Sequence, residues 1–238
     1  MSLPKILIFT AVYDKKDYCL DEFIENCKTF TYNNYEHVFI DNTNDGGAYF
    51  ESLKKRLEPL GKKVYRVERG NTTREALARA QNFARELCLK GDYDYLMSLE
   101  SDIFPKKNIM ERLIATGRPL ITGLYMIGFD HDGTRTPCIT IDWKNEKTGT
   151  YGSKLLPFEN ALDYMGKGIK EVAAGGMGCC IMHRGLLEKL GFTYMPGHKG
   201  HSDVFFFNDA RKLGYKVYVD TDAFCEHKNS DWTLVTDR

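Results

Sequence analysis

The sequence predicts an α/β protein with an open, mostly parallel sheet and helices on both faces, folded as a single domain over residues 1–238. Three observations support this prediction. Apolar runs typical of strands alternate with amphipathic helical patterns through the first half of the chain, as in sheets built from right-handed crossovers. The first run, residues 5–10, is apolar almost throughout, as expected for a strand covered on both faces. No linker-like segment divides the chain.

The predicted strands alternate regularly with helices up to residue 125 and less regularly afterwards. They cover residues 5–10, 37–41, 63–67, 95–99, 120–124 and 215–220. A further strand is expected directly after the glycine-rich stretch 175–178. The second half of the chain is therefore expected to add strands and loops to the first sheet.

The helical patterns carry apolar residues on one face and have recognisable ends. Asp17 is placed to cap the first helix, and Thr72 and Glu75 have capping-box spacing at the start of the third. Gly61 and Gly214 follow the second and the last pattern, where glycine commonly ends a helix. The helices are predicted at residues 17–27, 50–57, 72–87, 109–114, 186–190 and 202–213.

Composition and charge exclude several classes of protein. Apolar residues make up 42% and charged residues 28% of the chain, which is ordinary globular usage. Lysines plus arginines and the acidic residues both number 33, so the basic excess of a nucleic-acid-binding protein is missing. No apolar run approaches the ~20 residues of a membrane span. The seven cysteines include no CxxC pair, so we expect free thiols and a cytoplasmic location.

Two common nucleotide-binding motifs are missing from the sequence. A glycine-rich dinucleotide fingerprint would follow strand one, but residues 10–14 contain no glycine, and there is no P-loop motif. Ligands of open α/β sheets bind beyond the carboxyl ends of the strands. Kinase, ATPase, NAD-dependent and typical methyl-transfer functions therefore lose their main signals, and a nucleotide bound there would be held by carboxylates and a metal instead of a phosphate-binding loop.

The triplet Glu100, Ser101 and Asp102 suits that role because it comes directly after the strand at 95–99. Residues two apart in an extended chain point to the same side, so both carboxylates can meet one hard cation. Such a cation can stabilise a diphosphate as a leaving group. The alternative interpretation is a solvated acidic turn.

In their order along the chain, these short motifs resemble the GT-A-fold glycosyltransferases of the family-2-like type. The resemblance covers residues 4–228. In the first half it rests on strand one, Asp41 and Asn42, Asn71 and the triplet 100–102. In the second half it rests on residues 175–178, 202–206 and 226–227. It implies a fold of the nucleotide-diphospho-sugar transferase type, with a nucleotide-sugar-binding half at 1–125 and an acceptor-binding half at 126–238.

The resemblance also implies an activity, a cofactor and partners. The chain would be a hexosyltransferase-type enzyme that uses Mn²⁺ or Mg²⁺ and moves a sugar from a nucleotide-sugar donor to a saccharide or other hydroxyl acceptor. Asp102 and His227 would bind the metal, and Glu100 would contact ribose or metal. The donor-binding residues would be Thr10, Ala11, Val12, Asp41, Asn71, Glu100 and Ser101.

Asp203 would be the catalytic base near the acceptor. Its alternative role is to begin a helix, where a carboxylate suits the helix dipole.

Other residues have alternatives too. Asp41 can be a turn-capping residue, and an isolated histidine such as His227 can be structural. The first acid of the family's triplet is usually Asp, whereas here it is Glu100. The stereochemical outcome of the reaction therefore stays open.

Two other functions compete with glycosyl transfer. A sugar-1-phosphate nucleotidyltransferase uses a similar sheet and metal but normally has glycines after strand one, and this chain has none there. A non-catalytic carbohydrate-binding relative would tolerate loss of the metal site, yet Glu100, Asp102 and His227 are all present.

Overall fold

The computed structural model of the protein describes residues 3–128, 135–145, 147, 149 and 151–228. The strands in these residues are β1 (Ile6–Val12), β2 (Tyr35–Asp41), β3 (Lys63–Arg66), β4 (Tyr95–Leu99), β5 (Ile103–Phe104), β6 (Leu120–Leu124), β7 (Met126–Gly128), β8 (Arg135–Pro137), β9 (Thr140–Lys144), β10 (Tyr151–Leu155), β11 (Ile169–Val172), β12 (Cys179–His183), β13 (Val217–Phe224) and β14 (Glu226–His227). The helices are α1 (Leu20–Lys28), α2 (Ala48–Leu57), α3 (Thr73–Lys90), α4 (Ile109–Ala115), α5 (Ala161–Tyr164), α6 (Arg184–Leu187) and α7 (Ser202–Lys212). Short 3₁₀ helices cover Asp14–Cys19, Glu58–Leu60 and Phe158–Asn160.

Eight strands form one sheet in the order β11-β13-β6-β12-β4-β1-β2-β3. The pairs of β1 with β2 and β4, of β2 with β3, and of β13 with β6 are parallel. Strand β12 lies antiparallel between β4 and β6, and β11 is an antiparallel edge strand. The predicted open, mostly parallel sheet is therefore confirmed, and β12 from the second half lies near its centre.

The helices cover both faces of this sheet, as predicted. On one face, α1, α2 and α4 pack their apolar side chains against the sheet around Ile8, Phe39 and Met97. On the other face, α3, α6 and α7 pack against Phe9 and Leu96. Consecutive residues Ile8 and Phe9 thus belong to opposite core layers, as the two-residue period of a strand requires.

Local details correct some of the sequence predictions. The predicted bounds of β4 and β6 agree with the structure, and Thr72 caps α3 by accepting a hydrogen bond from the Glu75 N–H at 3.1 Å. Asp17, however, does not cap α1. It lies inside the first 3₁₀ helix, where its carboxylate accepts hydrogen bonds from Tyr49 and Arg56.

The glycine-rich stretch before β12 is explained by close packing. A Cβ atom on Gly176 would lie 2.0 Å from the Tyr125 hydroxyl oxygen, and one on Gly175 would lie 2.4 Å from Thr122 Oγ1. Neither distance is sterically possible without movement of the neighbouring side chain. The glycines therefore let the backbone leading into β12 pass directly over side chains at the end of β6.

The seven cysteines are free thiols, and all except the half-buried Cys138 are buried. This agrees with the prediction of unpaired cysteines. Among the described residues, no helix combines the length and the apolar character needed to cross a membrane.

Candidate active site

The acidic triplet forms a tight turn at the carboxyl end of β4. The Glu100 N–H donates to the Gly178 carbonyl at 2.9 Å, and the Glu100 carbonyl accepts from the Ile103 N–H at 3.0 Å. Asp102 is 0% exposed. This burial excludes the solvated acidic turn that the sequence left open, because a carboxylate is buried only where something compensates its charge.

Strand pairing brings His227 next to this turn, although 125 residues separate it from Asp102. Strand β14 pairs with β5 so that His227 lies opposite Ile103, and the Lys228 N–H donates to the Asp102 carbonyl at 2.9 Å. His227 Nδ1 lies 2.8 Å from the Met126 carbonyl oxygen. A carbonyl only accepts hydrogen bonds, so Nδ1 carries a proton and Nε2 faces Asp102 Oδ2 at 3.5 Å.

A lysine completes the charged cluster. Lys16 lies in the 3₁₀ helix after β1, and its Nζ is 2.8 Å from Asp102 Oδ2 and 3.6 Å from Glu100 Oε2. The Cys19 thiol of the same short helix donates to the Ser101 carbonyl at 3.2 Å, which joins this helix to the turn. The Lys16 side chain is only 16% exposed. We refer to Lys16, Glu100, Asp102 and His227 as the charged cluster.

The groups of the charged cluster shift one another's pKa values. Burial alone would raise the pKa of Asp102, but Lys16 and His227 together hold it below its usual range. Burial and the Asp102 charge raise the pKa of Glu100 against the opposing effect of Lys16. Burial opposes protonation of His227, yet the Asp102 carboxylate raises its pKa overall. Asp102 therefore stays ionised.

The donor set of Asp102 and His227 fits a divalent cation. Two ligands of one metal ion lie ~3–3.5 Å apart, and the Oδ2 to Nε2 distance is 3.5 Å. Asp102 Oδ1 is buried and accepts no hydrogen bond from any described residue. The part of the chain that the structure describes brings no three Asp, Glu, His or Cys side chains into one metal-binding group. Cations that keep waters and bind substrate phosphates commonly need only one or two protein ligands.

The last three residues of β1 extend beyond its pairing with β4. Residues Thr10, Ala11 and Val12 pair with β2, but the pairing of β1 with β4 ends at Phe9. Thr10 and Val12 are nevertheless buried, at 0% and 1% exposed, and of the three only Ala11 is partly exposed. The Thr10 hydroxyl donates to the Leu99 carbonyl at 2.7 Å and lies 2.9 Å from His37 Nε2, so this side chain is engaged within the fold.

The other predicted donor-binding residues have different surroundings. Asp41 ends β2, is fully buried, and accepts the Thr43 N–H at 2.8 Å, so its turn-capping role is real. Burial raises the pKa of Asp41. Ser101 is buried within the acidic turn. Asn71 is exposed before α3, and its N–H donates to Glu75.

Asp203 lies in the first turn of α7. Its Oδ1 accepts the N–H of the next residue, Val204, at 2.7 Å, and burial raises its pKa. The Asp203 charge is also a minor cause of the raised pKa of Glu100. Beside it, the Ser202 hydroxyl donates to Gln81 Oε1 at 2.5 Å, which ties the start of α7 to α3. The helix-start role and the base role of Asp203 are thus compatible.

Two residues at the site were not predicted from the sequence. Lys16 follows strand one among other charged residues, and only its position near the carboxyl ends of the strands could have drawn attention to it. Tyr125 is buried next to His227, and the two ring centroids are 5.4 Å apart. Its hydroxyl accepts a hydrogen bond from the Gly178 N–H at 3.1 Å. It connects the histidine to the glycine-rich segment.

No protein-family model and no curated protein matches the chain. Solved structures do match it. A crystal structure of GalNAc-T7 with UDP, GalNAc and Mn²⁺ is 17% identical with a TM-score of 0.61, and covers 94% of this chain and 44% of that chain. The mannosyltransferase PcManGT from Pyrobaculum calidifontis, in complex with GDP-Man and Mn²⁺, is 15% identical with a TM-score of 0.61, and covers 99% and 60%. TarS 1–349 from S. aureus is 14% identical with a TM-score of 0.58, and covers 94% and 60%.

The chain therefore spans between 44% and 60% of the length of these three structures. The likeness extends over nearly all of this chain, and it includes the sheet that carries the acidic turn. By its architecture, the chain has the GT-A glycosyltransferase fold.

Proposed function

We propose that this chain is a hexosyltransferase-type enzyme that transfers a sugar from a nucleoside-diphosphate donor to the hydroxyl of a saccharide or other acceptor. One observation carries the proposal: in a GT-A fold, the buried Asp102 lies at the carboxyl end of β4 with its Oδ2 facing His227 Nε2 at 3.5 Å. The bound Mn²⁺ with UDP or GDP-Man in two similar structures supports the same assignment.

The proposed donor site combines residues of the charged cluster with the end of β1. Asp102 and His227 would hold Mn²⁺ or Mg²⁺, which stabilises the negative charge of a departing diphosphate. Glu100 would contact ribose or the metal. The segment Thr10, Ala11 and Val12 would line the nucleotide through its backbone, and Asp41, Asn71 and Ser101 would complete the donor contacts.

The proposed acceptor chemistry belongs to Asp203. As the acceptor oxygen attacks the anomeric carbon, the bond from that carbon to the diphosphate breaks, and the diphosphate leaves with the electron pair. The hydroxyl proton passes to the Asp203 carboxylate. Burial raises the pKa of Asp203, which makes it a stronger base than an exposed aspartate. The cytoplasmic location expected from the free cysteines remains part of the proposal.

A thermal-shift screen of UDP-, GDP- and CDP-sugars with and without Mn²⁺ tests this function. A ligand that binds only the folded chain at 100 times its Kd stabilises it by ~2.7 kcal/mol. We expect sugars of one of these three nucleotides to raise the melting temperature in the presence of Mn²⁺. Chelation of the metal or the substitution Asp102→Asn should remove most of that rise. The absence of a shift with every donor, with and without metal, would contradict the proposal.

A further inference from the structure

The position of Lys16 has a consequence for cation binding. Its ammonium lies 2.8 Å from Asp102 Oδ2, and this is the same oxygen that faces His227 Nε2 at 3.5 Å. Glu100 Oε2 is 3.6 Å from the same ammonium. The lysine therefore occupies the place where a cation shared by the two carboxylates would be attracted most strongly.

A lysine ammonium and a divalent cation cannot both bind at this oxygen at close range. Both are positive, and the surroundings are largely buried, so the repulsion between them is weakly screened. We propose that Lys16 is an exchangeable internal counter-ion, whose ammonium neutralises Asp102 and Glu100 until a divalent cation displaces it. This inference rests on the proposed metal-binding role of Asp102 and His227.

The exchange also links the cation to the donor. An ammonium that leaves two carboxylates requires another anion, because an unpaired buried charge is costly. The diphosphate of a donor carries that charge, and lysine is a flexible point charge that suits phosphate. Metal and diphosphate binding should therefore reinforce each other through Lys16, in addition to any direct metal–phosphate contact.

A permanent structural salt bridge is the competing explanation, and Mn²⁺ affinity separates the two. Mn²⁺ is titrated into the full chain without nucleotide and followed by calorimetry and by the EPR signal of free Mn²⁺. The variants are Lys16→Met, which removes the charge, Lys16→Arg, which keeps it, and Lys15→Met, an exposed neighbour, as a control.

We expect Lys16→Met to bind Mn²⁺ at least ~10-fold more tightly than the wild-type chain, since a positive charge beside the ligand oxygen has been removed. Lys16→Arg and Lys15→Met should remain within ~3-fold of wild type, a difference of less than ~0.7 kcal/mol. Equal or weaker Mn²⁺ binding by Lys16→Met would overturn the inference and favour the permanent salt bridge.

Loss of the ammonium leaves Asp102 buried without its main partner, so Lys16→Met, or the more polar Lys16→Gln, can be unstable. The melting temperature then gives the readout. Mn²⁺ should raise it more in these variants than in wild type, because the metal replaces the missing charge. A rise no larger than that of wild type would contradict the exchange.

A parallel titration with UDP and GDP keeps the inference separate from the proposed function. If wild-type chain binds neither nucleotide with Mn²⁺ present, the proposed donor site is wrong, while the Mn²⁺ affinities measured alone still decide the role of Lys16. If nucleotides bind and the removal of Lys16 does not tighten Mn²⁺, only the counter-ion inference fails.

Discussion

The two sides of the candidate site are built in different ways. The proposed donor side, at the ends of β1 and β4, has its charges compensated inside the protein, because Lys16 pairs with both Asp102 and Glu100. The proposed acceptor side, around Asp203, relies on a long-range side-chain contact that ties α7 to α3 through the Ser202 hydroxyl.

The two proposed sides of the site therefore depend on different kinds of contact. The carboxyl ends of neighbouring strands place Lys16, Glu100 and Asp102 together at one edge of the sheet, where they form ion pairs. The acceptor side depends on a few hydrogen bonds from later elements, which single substitutions can remove one at a time. The following predictions test that contrast, from the largest expected effect to the smallest.

The largest effect is expected for Asp203→Asn, which should lower sugar transfer by ~10²–10⁴-fold because general-base help is lost. The Asn side chain keeps an oxygen for the Val204 N–H, so the melting temperature should stay close to that of wild type. Donor binding with Mn²⁺, measured by calorimetry, should be unchanged, since the donor side does not depend on Asp203.

Normal turnover by Asp203→Asn would leave this residue with only its helix-start role. Transfer that keeps the anomeric configuration of the donor would point to a retaining mechanism, in which Asp203 is not the base. NMR of the product's anomeric proton distinguishes these outcomes from inversion.

A smaller effect on stability is expected for Ser202→Ala. The change leaves the buried Gln81 Oε1 without its donor, which typically costs ~1–3 kcal/mol of unfolding free energy. Urea unfolding measures this cost, and Ser153→Ala on the exposed β9–β10 hairpin serves as the matched control. A loss for Ser202→Ala no larger than for the control would mean that this contact does not hold α7 in place.

The smallest effect concerns the acid stability of the donor side. His37 is buried, and burial holds its pKa well below 6.5. As the pH falls below ~6.5, the unfolded chain takes up a proton at His37 that the folded chain does not. The free energy of unfolding therefore falls by up to ~1.4 kcal/mol for each pH unit below this value.

In His37→Gln this loss should be absent, because the amide does not titrate while its N–H can still donate to Thr10. Urea unfolding between pH 7.5 and 5 should give a flatter stability curve for the variant than for wild type. Parallel curves would show that His37 does not control the acid sensitivity of this region.

Features that depend on local sequence could be predicted, whereas features that depend on distant contacts could not. Strands β4 and β6 are buried and apolar, and the periodicity of the sequence predicts their bounds correctly. The antiparallel placement of β12 between them depends on pairing partners, which hydrophobic periodicity does not encode. The glycines before β12 reflect packing against Tyr125 and Thr122, which lie about 50 residues earlier in the chain.

The site could be predicted only in part, for a related reason. Asp102 was expected at a strand end, because a local pattern indicates that position. Lys16 was missed because its role depends on a contact 86 residues away, and a lysine among other charged residues usually lies on a solvated surface. Whether Asp203 acts as a base also depends on its burial and its neighbours, and a helix start alone does not specify either.

Transfer itself is the most direct test of the proposed function. The wild-type chain, Asp102→Asn and the exposed control Asp92→Asn are incubated with nucleotide sugars, Mn²⁺ and an acceptor mixture. Release of nucleoside diphosphate and the glycosylated product are measured by mass spectrometry. We predict product with wild type and Asp92→Asn, and a loss of ~10²–10³-fold or more for folded Asp102→Asn, because transition-state charge stabilisation is lost. No product from any nucleotide sugar, or equal product from Asp102→Asn, would contradict the central claim.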